Sequence, residues 1–283
     1  VSGLQFSLNG ELIDTDEYMK RTGTGYFRAI HEINEIVNKE AAMTAAYDPG
    51  PIPPSLVRPP KAGKPLVYSY TLLNNYANVC PHQTWRRYVK KDQPFVETEA
   101  MKWGNAVHTA LEYRLGGKPL PPNMQQWEPI VAAFDGRGAT AEQKLGITRE
   151  GKPCGWFDDG VFFRGKIDVT LINGATAYIN DWKTGSSGYE SPFELETNAL
   201  LLHCKFPHLT KIVGSYAWLK ENRLGTMFEL SDTNGTWQKV TKLVAEFERL
   251  LPGGGEVFEK RKSGLCGHCS VEDCENHFVA RPK

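Results

Sequence analysis

The spacing of apolar residues changes several times along this chain, and each change marks a different element. From Tyr26 to about Ala46, Phe27, Ile30, Ile33 and Val37 recur at steps of three and four, which predicts an amphipathic helix whose stripe needs cover. Pro49, Pro51, Pro53, Pro54, Pro59 and Pro60 follow, with Pro65 beyond them, a composition that sustains neither helix nor sheet. These shifts divide the chain into a helical appendage over 1–48, a proline-rich linker over 49–65 and a main domain over 66–283. In the main domain, Thr71 to Lys90 and Thr98 to Leu115 read as helices with aromatic and aliphatic positions on one face. Gly160 to Ile172 and Thr176 to Trp182 are rich in β-branched and aromatic residues and flank Asn173-Gly174, which predicts an antiparallel hairpin. A helix over Pro192 to Cys204 follows, then strands over Ile212 to Leu219 and Thr226 to Leu230. The last element is a helix over Thr236 to Leu251 after an Asn-Gly turn. The fold class is mixed α/β, without the regular alternation of a large parallel sheet.

Composition narrows the chemistry only a little. The 283 residues carry 33 basic and 33 acidic side chains, so a polyanion must be held by a local patch or by metal ions. No run reaches the roughly eighteen apolar residues of a membrane span, and the N-terminus lacks a basic-then-apolar leader. The expectation is a soluble, cytoplasmic protein with no membrane partner. The chain has no Gly-x-x-x-x-Gly-Lys-Ser/Thr loop and no Gly-x-Ser-x-Gly elbow, which excludes a P-loop motor and that form of serine hydrolase. Six cysteines are too few for a disulfide scaffold, and Cys154 and Cys204 read as small buried hydrophobes.

The hairpin is the first candidate for chemistry. Asp181 and Lys183 are two apart on one strand and share a face. A two-residue loop at Asn173-Gly174 would set Asp168 opposite Ile179, and a four-residue loop would set it opposite Asp181; either keeps all three on one face. Carboxylates this close repel unless a cation lies between them, and oxygen ligands suit Mg²⁺ or Mn²⁺. A neighbouring lysine can orient or deprotonate a water or stabilise charge on phosphorus, which is hydrolytic phosphodiester chemistry. A solvated hairpin face with a cross-strand ion pair is the plainer reading of the same residues.

Gly165-Lys166-Ile167-Asp168, followed at hairpin distance by Asp181-Trp182-Lys183-Thr184-Gly185, resembles the PD-(D/E)XK nuclease superfamily. The resemblance is to its RecB-like branch, which includes phage exonucleases and CRISPR-associated RecB-like nucleases. It implies an upstream helix with a glycine and a metal-binding histidine, and Trp103-Gly104-Asn105-Ala106-Val107-His108 matches that pattern. By this resemblance the core is restriction-endonuclease-like, with a mixed central sheet flanked by helices. His108, Asp168, Asp181 and the Trp182 carbonyl would bind Mg²⁺ or Mn²⁺, and Lys183 would be catalytic. The family usually has a glutamine and, four residues on, a tyrosine on the helix after the lysine strand. This sequence departs from that with Glu194 and Asn198; Glu194 or Glu196 can orient Lys183, bind a second ion or simply face solvent.

Cys266, Cys269 and Cys274 place three soft ligands within nine residues, which predicts a C-terminal metal knuckle. His277 would complete a Cys₃His zinc site. Cys80, before Pro81, resembles the early cysteine of RecB-like nucleases in which one early and three late cysteines hold a 4Fe-4S cluster. Either metal would be structural. For the nucleic acid, Trp85, Arg86 and Arg87, with Tyr88, Lys90 and Lys91, combine cations with aromatics on one helix, either as a DNA grip or as a core-and-surface helix. The reading is a metal-dependent DNA exonuclease of recombination, repair or phage DNA processing, with a helicase or recombination protein as partner. Its rivals are a structure-specific or CRISPR-adaptation endonuclease and an inactive DNA-binding subunit.

Overall fold

In the computed structural model the described residues are 65–93, 97–135, 137–188 and 190–278, with two short strands nearer the N-terminus. Those strands, β1 (Gln5–Leu8) and β2 (Glu11–Asp14), pair antiparallel with Leu8 opposite Glu11, which the reading of 1–48 as helical did not include. The expected helix from Tyr26 and the proline-rich linker lie outside the described residues.

The expected helix over Thr71 to Lys90 is divided. It starts as α1 (Tyr70–Asn74) and widens to a π turn over Asn75–Val79. At Cys80 the backbone becomes extended, and the chain restarts as α2 (Pro81–Trp85) with a second π turn over Arg86–Lys90. Pro81 is the cause, since it has no N–H to give and is tolerated only in a helix's first turn. Next comes α3 (Glu99–Leu115), capped by Thr98, whose Oγ1 accepts the Met101 N–H at 3.2 Å, and then α4 (Glu128–Ala132). Strands β3 (Thr140–Ile147), β4 (Pro153–Cys154), β5 (Phe163–Asn173) and β6 (Thr176–Lys183) follow, then α5 (Phe193–Lys205) and β7 (Lys211–Trp218). Two-residue strands β8 (Arg223–Leu224) and β9 (Phe228–Glu229) stand where Thr226 to Leu230 was expected, and α6 (Thr233–Leu250) closes the domain. Asn234-Gly235 falls inside the first turn of α6, where Asp232 caps the Gly235 N–H at 2.8 Å, so it is not a turn before the helix.

These strands form one seven-stranded mixed sheet in the order β4-β3-β5-β6-β7-β8, with β9 also on β7. Only β6 and β7 run parallel, joined through α5. Helices cover both faces. Leu72 and Leu73 of α1, Leu195 to Leu202 of α5, and Trp237, Val240, Val244 and Phe247 of α6 pack on Ala177, Ile179, Ile212 and Tyr216. Val107 and Leu111 of α3 and Ile130 and Val131 of α4 pack on Val169, Leu171, Tyr178, Trp182 and Val213. Alternation along β6 and β7 therefore feeds two cores, as expected of a strand buried on both faces. No described helix is long and apolar enough to cross a membrane.

One glycine in the central strand tests this packing. A Cβ on Gly214 of β7 would lie 2.7 Å from Ile179 Cγ1 and 2.9 Å from the Ile179 carbonyl oxygen. The carbonyl belongs to the paired strand and cannot step aside. Gly214→Ala is therefore expected to lower stability by about 1–3 kcal/mol, read from urea unfolding. An unchanged midpoint would show that β6 and β7 separate more easily than their ladder suggests.

Candidate active site

The β5–β6 turn sets the register of the site. Asn173 pairs with Thr176, so the turn is Gly174-Ala175, one residue later than the Asn-Gly pair suggested, with Gly174 at φ +58°. The ladder runs to Val169 opposite Asn180, and the next position sets Asp168 opposite Asp181. This is the alternative expected of a four-residue loop, reached with a two-residue one.

Regular pairing stops at that point. Ile167 packs with the α5–α6 core, whereas Val169 and Leu171 pack with the α3 core, although residues two apart should share a face. On the other side of β5, Ala141 pairs with Val169 and Gln143 with Ile167, while Glu142 between them adopts φ +51°. Both strands are distorted where Glu142 and Asp168 face each other. Left-handed backbone at a non-glycine residue costs about 1–3 kcal/mol and persists only where its surroundings hold it. The freed ladder group is taken up by a side chain: the Trp182 N–H donates to Asp168 Oδ2 at 2.9 Å.

Two groups of side chains meet at this break. In the first, His108 of α3 places Nδ1 3.2 Å from Asp168 Oδ1 and 3.9 Å from Glu142 Oε1, and Lys166 pairs with Glu142. His108, Glu142 and Asp168 each offer a ligand atom within 4.8 Å of the others. In the second, Lys183 Nζ lies 2.5 Å from Asp181 Oδ2, 2.8 Å from Glu194 Oε2 and 5.1 Å from the Tyr216 ring centre. Glu194, in the first turn of α5, thus reaches the lysine, while Glu196 turns away to Lys239 and Asn198 is buried beside Gly165.

Charge couples the two groups. Burial pushes the Asp181 carboxyl up, and the charges of Glu194 and Asp168 push it further, against the pull of Lys183. Burial also raises Glu142, with Asp168 adding to it while Lys166 and His108 oppose. Burial pulls down on His108, yet Asp168, Asp181 and Glu142 together hold it above the ordinary imidazole range. Lys183 is likewise lowered by burial, and Asp181 and Glu194 outweigh that. Asp168 and Asp181 are both nearly fully buried, so the pocket concentrates carboxylates where water screens them poorly. Asp181 Oδ2 is buried with the Lys183 ammonium as its neighbour, and that ammonium is shared with Glu194. A hard divalent cation would relieve this excess, and the donor set fits one.

Sequence reasoning missed Glu142, Lys166 and Tyr216. Glu142 sits on β3, where Ala-Glu-Gln-Lys hides the alternation and only Leu145 and Ile147 signal a strand.

Of the residues expected to grip DNA, Trp85 and Arg86 make contacts within the protein. Arg86 is buried, its Nε shared between both Asp92 oxygens at 2.8 and 2.9 Å and its Nη1 donating to Asp273 at 2.8 Å. Trp85 stacks on Phe258 with ring centres 6.1 Å apart. Both contacts tie α2 to the C-terminal segment. Arg87 lines a cavity on the same side, its guanidinium 5.5 Å from the Tyr88 ring centre.

That cavity, of about 480 Å³, is lined by Cys80, Cys266, Cys269 and Cys274, with His82, His268 and His277 also in its wall. The break at Pro81 and the pairing of the His82 N–H with the Glu259 carbonyl at 3.0 Å bring the early cysteine to the late three. Backbone N–H groups of Ser263 and Val271 donate to Cys266 Sγ and Cys269 Sγ at 3.3 and 3.5 Å. Burial pushes the Cys269 thiol up; the Val271 N–H opposes this, and Cys80, Cys266 and Cys274 add to it. The scattered Cys204 is partly buried against the core, its thiol pushed up to about 11 by desolvation, and Cys154 is likewise only partly buried.

No family model matches the chain, and no curated protein matches it in sequence. Among solved structures, the protein SSO0001 is similar at 14% identity and a TM-score of 0.45, over 89% of this chain and 98% of that one. A protein from Eubacterium rectale named as a candidate exonuclease is similar at 14% identity and a TM-score of 0.46, over 77% of this chain and 90% of that one. Identity and TM-score are low in both, and the functional reading rests on the site.

Proposed function

We propose that this protein is a metal-dependent DNA nuclease with a restriction-endonuclease-like core of the PD-(D/E)XK, RecB-like kind, acting as an exonuclease. The observation that carries the reading is the meeting of the His108–Asp168–Glu142 group with the Asp181–Lys183–Glu194 group at one break in the sheet. An ordinary solvated hairpin face would not bury its carboxylates. His108, Asp168, Asp181 and the Trp182 carbonyl would hold Mg²⁺ or Mn²⁺, with Glu142 beside them. Such an ion supplies Lewis acidity toward a phosphoryl oxygen and eases deprotonation of water. Lys183, fixed by two carboxylates and the Tyr216 ring, stabilises the charge that develops on the phosphoryl oxygens. Glu194 positions that ammonium, and the Trp182 N–H fixes the Asp168 carboxylate.

The cysteine cavity would hold a structural 4Fe-4S cluster on Cys80, Cys266, Cys269 and Cys274, or a zinc ion with His277 in place of Cys80. Supporting this, four thiols line one cavity and backbone N–H groups point at two sulfurs, an arrangement that favours thiolates.

The test is cleavage of linear and circular DNA, single- and double-stranded, with Mg²⁺, with Mn²⁺ and with EDTA. Digestion of linear DNA alone, abolished by EDTA, is the expected result. Cutting of closed circles would make the protein an endonuclease. Binding without cleavage under every ion would make it a DNA-binding subunit.

A further inference from the structure

Trp85 and Arg86 are committed to internal contacts, and an exposed aromatic stands nearer the candidate site in sequence. Eight large apolar side chains stand exposed among the described residues, and three of them, Met101, Trp103 and Tyr113, are on α3, the helix that carries His108. Trp103 is 43% exposed. The next residue, Gly104, faces Thr184: a Cβ there would lie 3.4 Å from Thr184 Oγ1, one residue beyond Lys183. The Trp103 ring packs against Trp127, centre to centre 6.3 Å at 53°. Trp127 is itself anchored, its Nε1 donating to the Leu219 carbonyl at 2.8 Å, and Leu219 follows Trp218, the partner of Lys183 across β6 and β7.

Trp103 therefore stands partly exposed on the helix that carries His108, one residue before the glycine that meets Thr184, and is backed by a second tryptophan. Lys102 precedes Trp103, its ammonium paired with Glu99 at 2.7 Å, and Lys220, which follows the Leu219 whose carbonyl holds Trp127, is hydrogen-bonded to Ser186 at 3.1 Å. Met101 and Arg87 both line the cysteine cavity, so the first turns of α3 connect that lobe with the site. Aromatic faces flanked by cations bind single strands by base stacking, whatever the sequence.

We propose that Trp103 is the stacking platform for an unpaired base of the DNA strand engaged at this site. The proposal rests on the nuclease reading and names its substrate more closely: the site works on a strand whose bases are unstacked at the entrance, and Trp103 takes up one of them.

Binding of a fluorescein-labelled oligothymidylate and of an abasic oligomer of equal length, measured by anisotropy in Ca²⁺ with the full chain, tests this directly. Wild type is expected to prefer the base-bearing strand by about tenfold. Trp103→Ala should lose that preference and Trp103→Phe should keep most of it, with melting temperatures checked to exclude damage at Trp127. A Trp103→Ala variant that still distinguishes the two oligomers as wild type does overturns the proposal. So does a wild type that cleaves DNA yet shows no preference, which leaves the nuclease reading standing; a wild type that neither binds nor cleaves removes both.

Discussion

Lys183→Ala is expected to lower the rate of DNA cleavage by roughly 10²–10³-fold, the usual loss when one preorganised group that stabilises transition-state charge is removed. The same variant is expected to bind Mn²⁺ at least as tightly as wild type. The sign follows from the contacts: Lys183 neutralises Asp181 and Glu194, and without it both carboxylates are free to attract a cation. Cleavage and cation binding should therefore move in opposite directions or separate, whereas a collapsed site would lose both. Mn²⁺ affinity by calorimetry beside cleavage rates on one linear substrate reads the two effects. A Lys183→Ala enzyme cutting at the wild-type rate would remove the lysine from the mechanism.

The hairpin bearing Asp168, Asp181 and Lys183 was legible because strand periodicity and a turn signal are local properties. The turn nevertheless fell one residue later than Asn-Gly suggested, since Asn173 keeps its ladder pair with Thr176. The helix carrying His108 was legible for the same local reason, with Thr98 as its cap. What stayed hidden depends on tertiary contact. Glu142 reaches the site only because β3 pairs with β5, a strand that its polar sequence did not announce. Trp85 and Arg86 looked like a nucleic-acid grip because sequence cannot show that Phe258 and Asp273, far along the chain, will occupy them. Glu194 was ambiguous on its helix until Lys183 was found 2.8 Å away.

The same long-range docking makes the cysteine lobe the second place where a single change should have a large effect. On the proposal that the lobe holds a metal, Cys269→Ser is expected to strip it and to lower the melting temperature by about 10 °C. A site loaded at about a thousand times its dissociation constant adds about 4 kcal/mol, and each kcal/mol is worth roughly 2–4 °C in a domain of this size. The loss should be local at first, loosening residues 263–277 while the sheet stays folded, because Phe258 remains packed on Phe247 in the core and the His82 N–H still holds the Glu259 carbonyl, whereas Asp273 is held to α2 through Arg86. Two further substitutions separate the candidate metals. A cluster held by four thiolates fails with Cys80→Ser and tolerates His277→Ala; a Cys₃His zinc site does the reverse. Iron, sulfide and zinc assays on the purified proteins, beside thermal melts, give the answer. Wild type free of all three, melting with Cys269→Ser at one temperature, would leave the lobe as packing alone. If the metal is present, its removal should also slow cleavage, because Met101 and Arg87 in the cavity wall connect the lobe to the α3 turns that lead to His108.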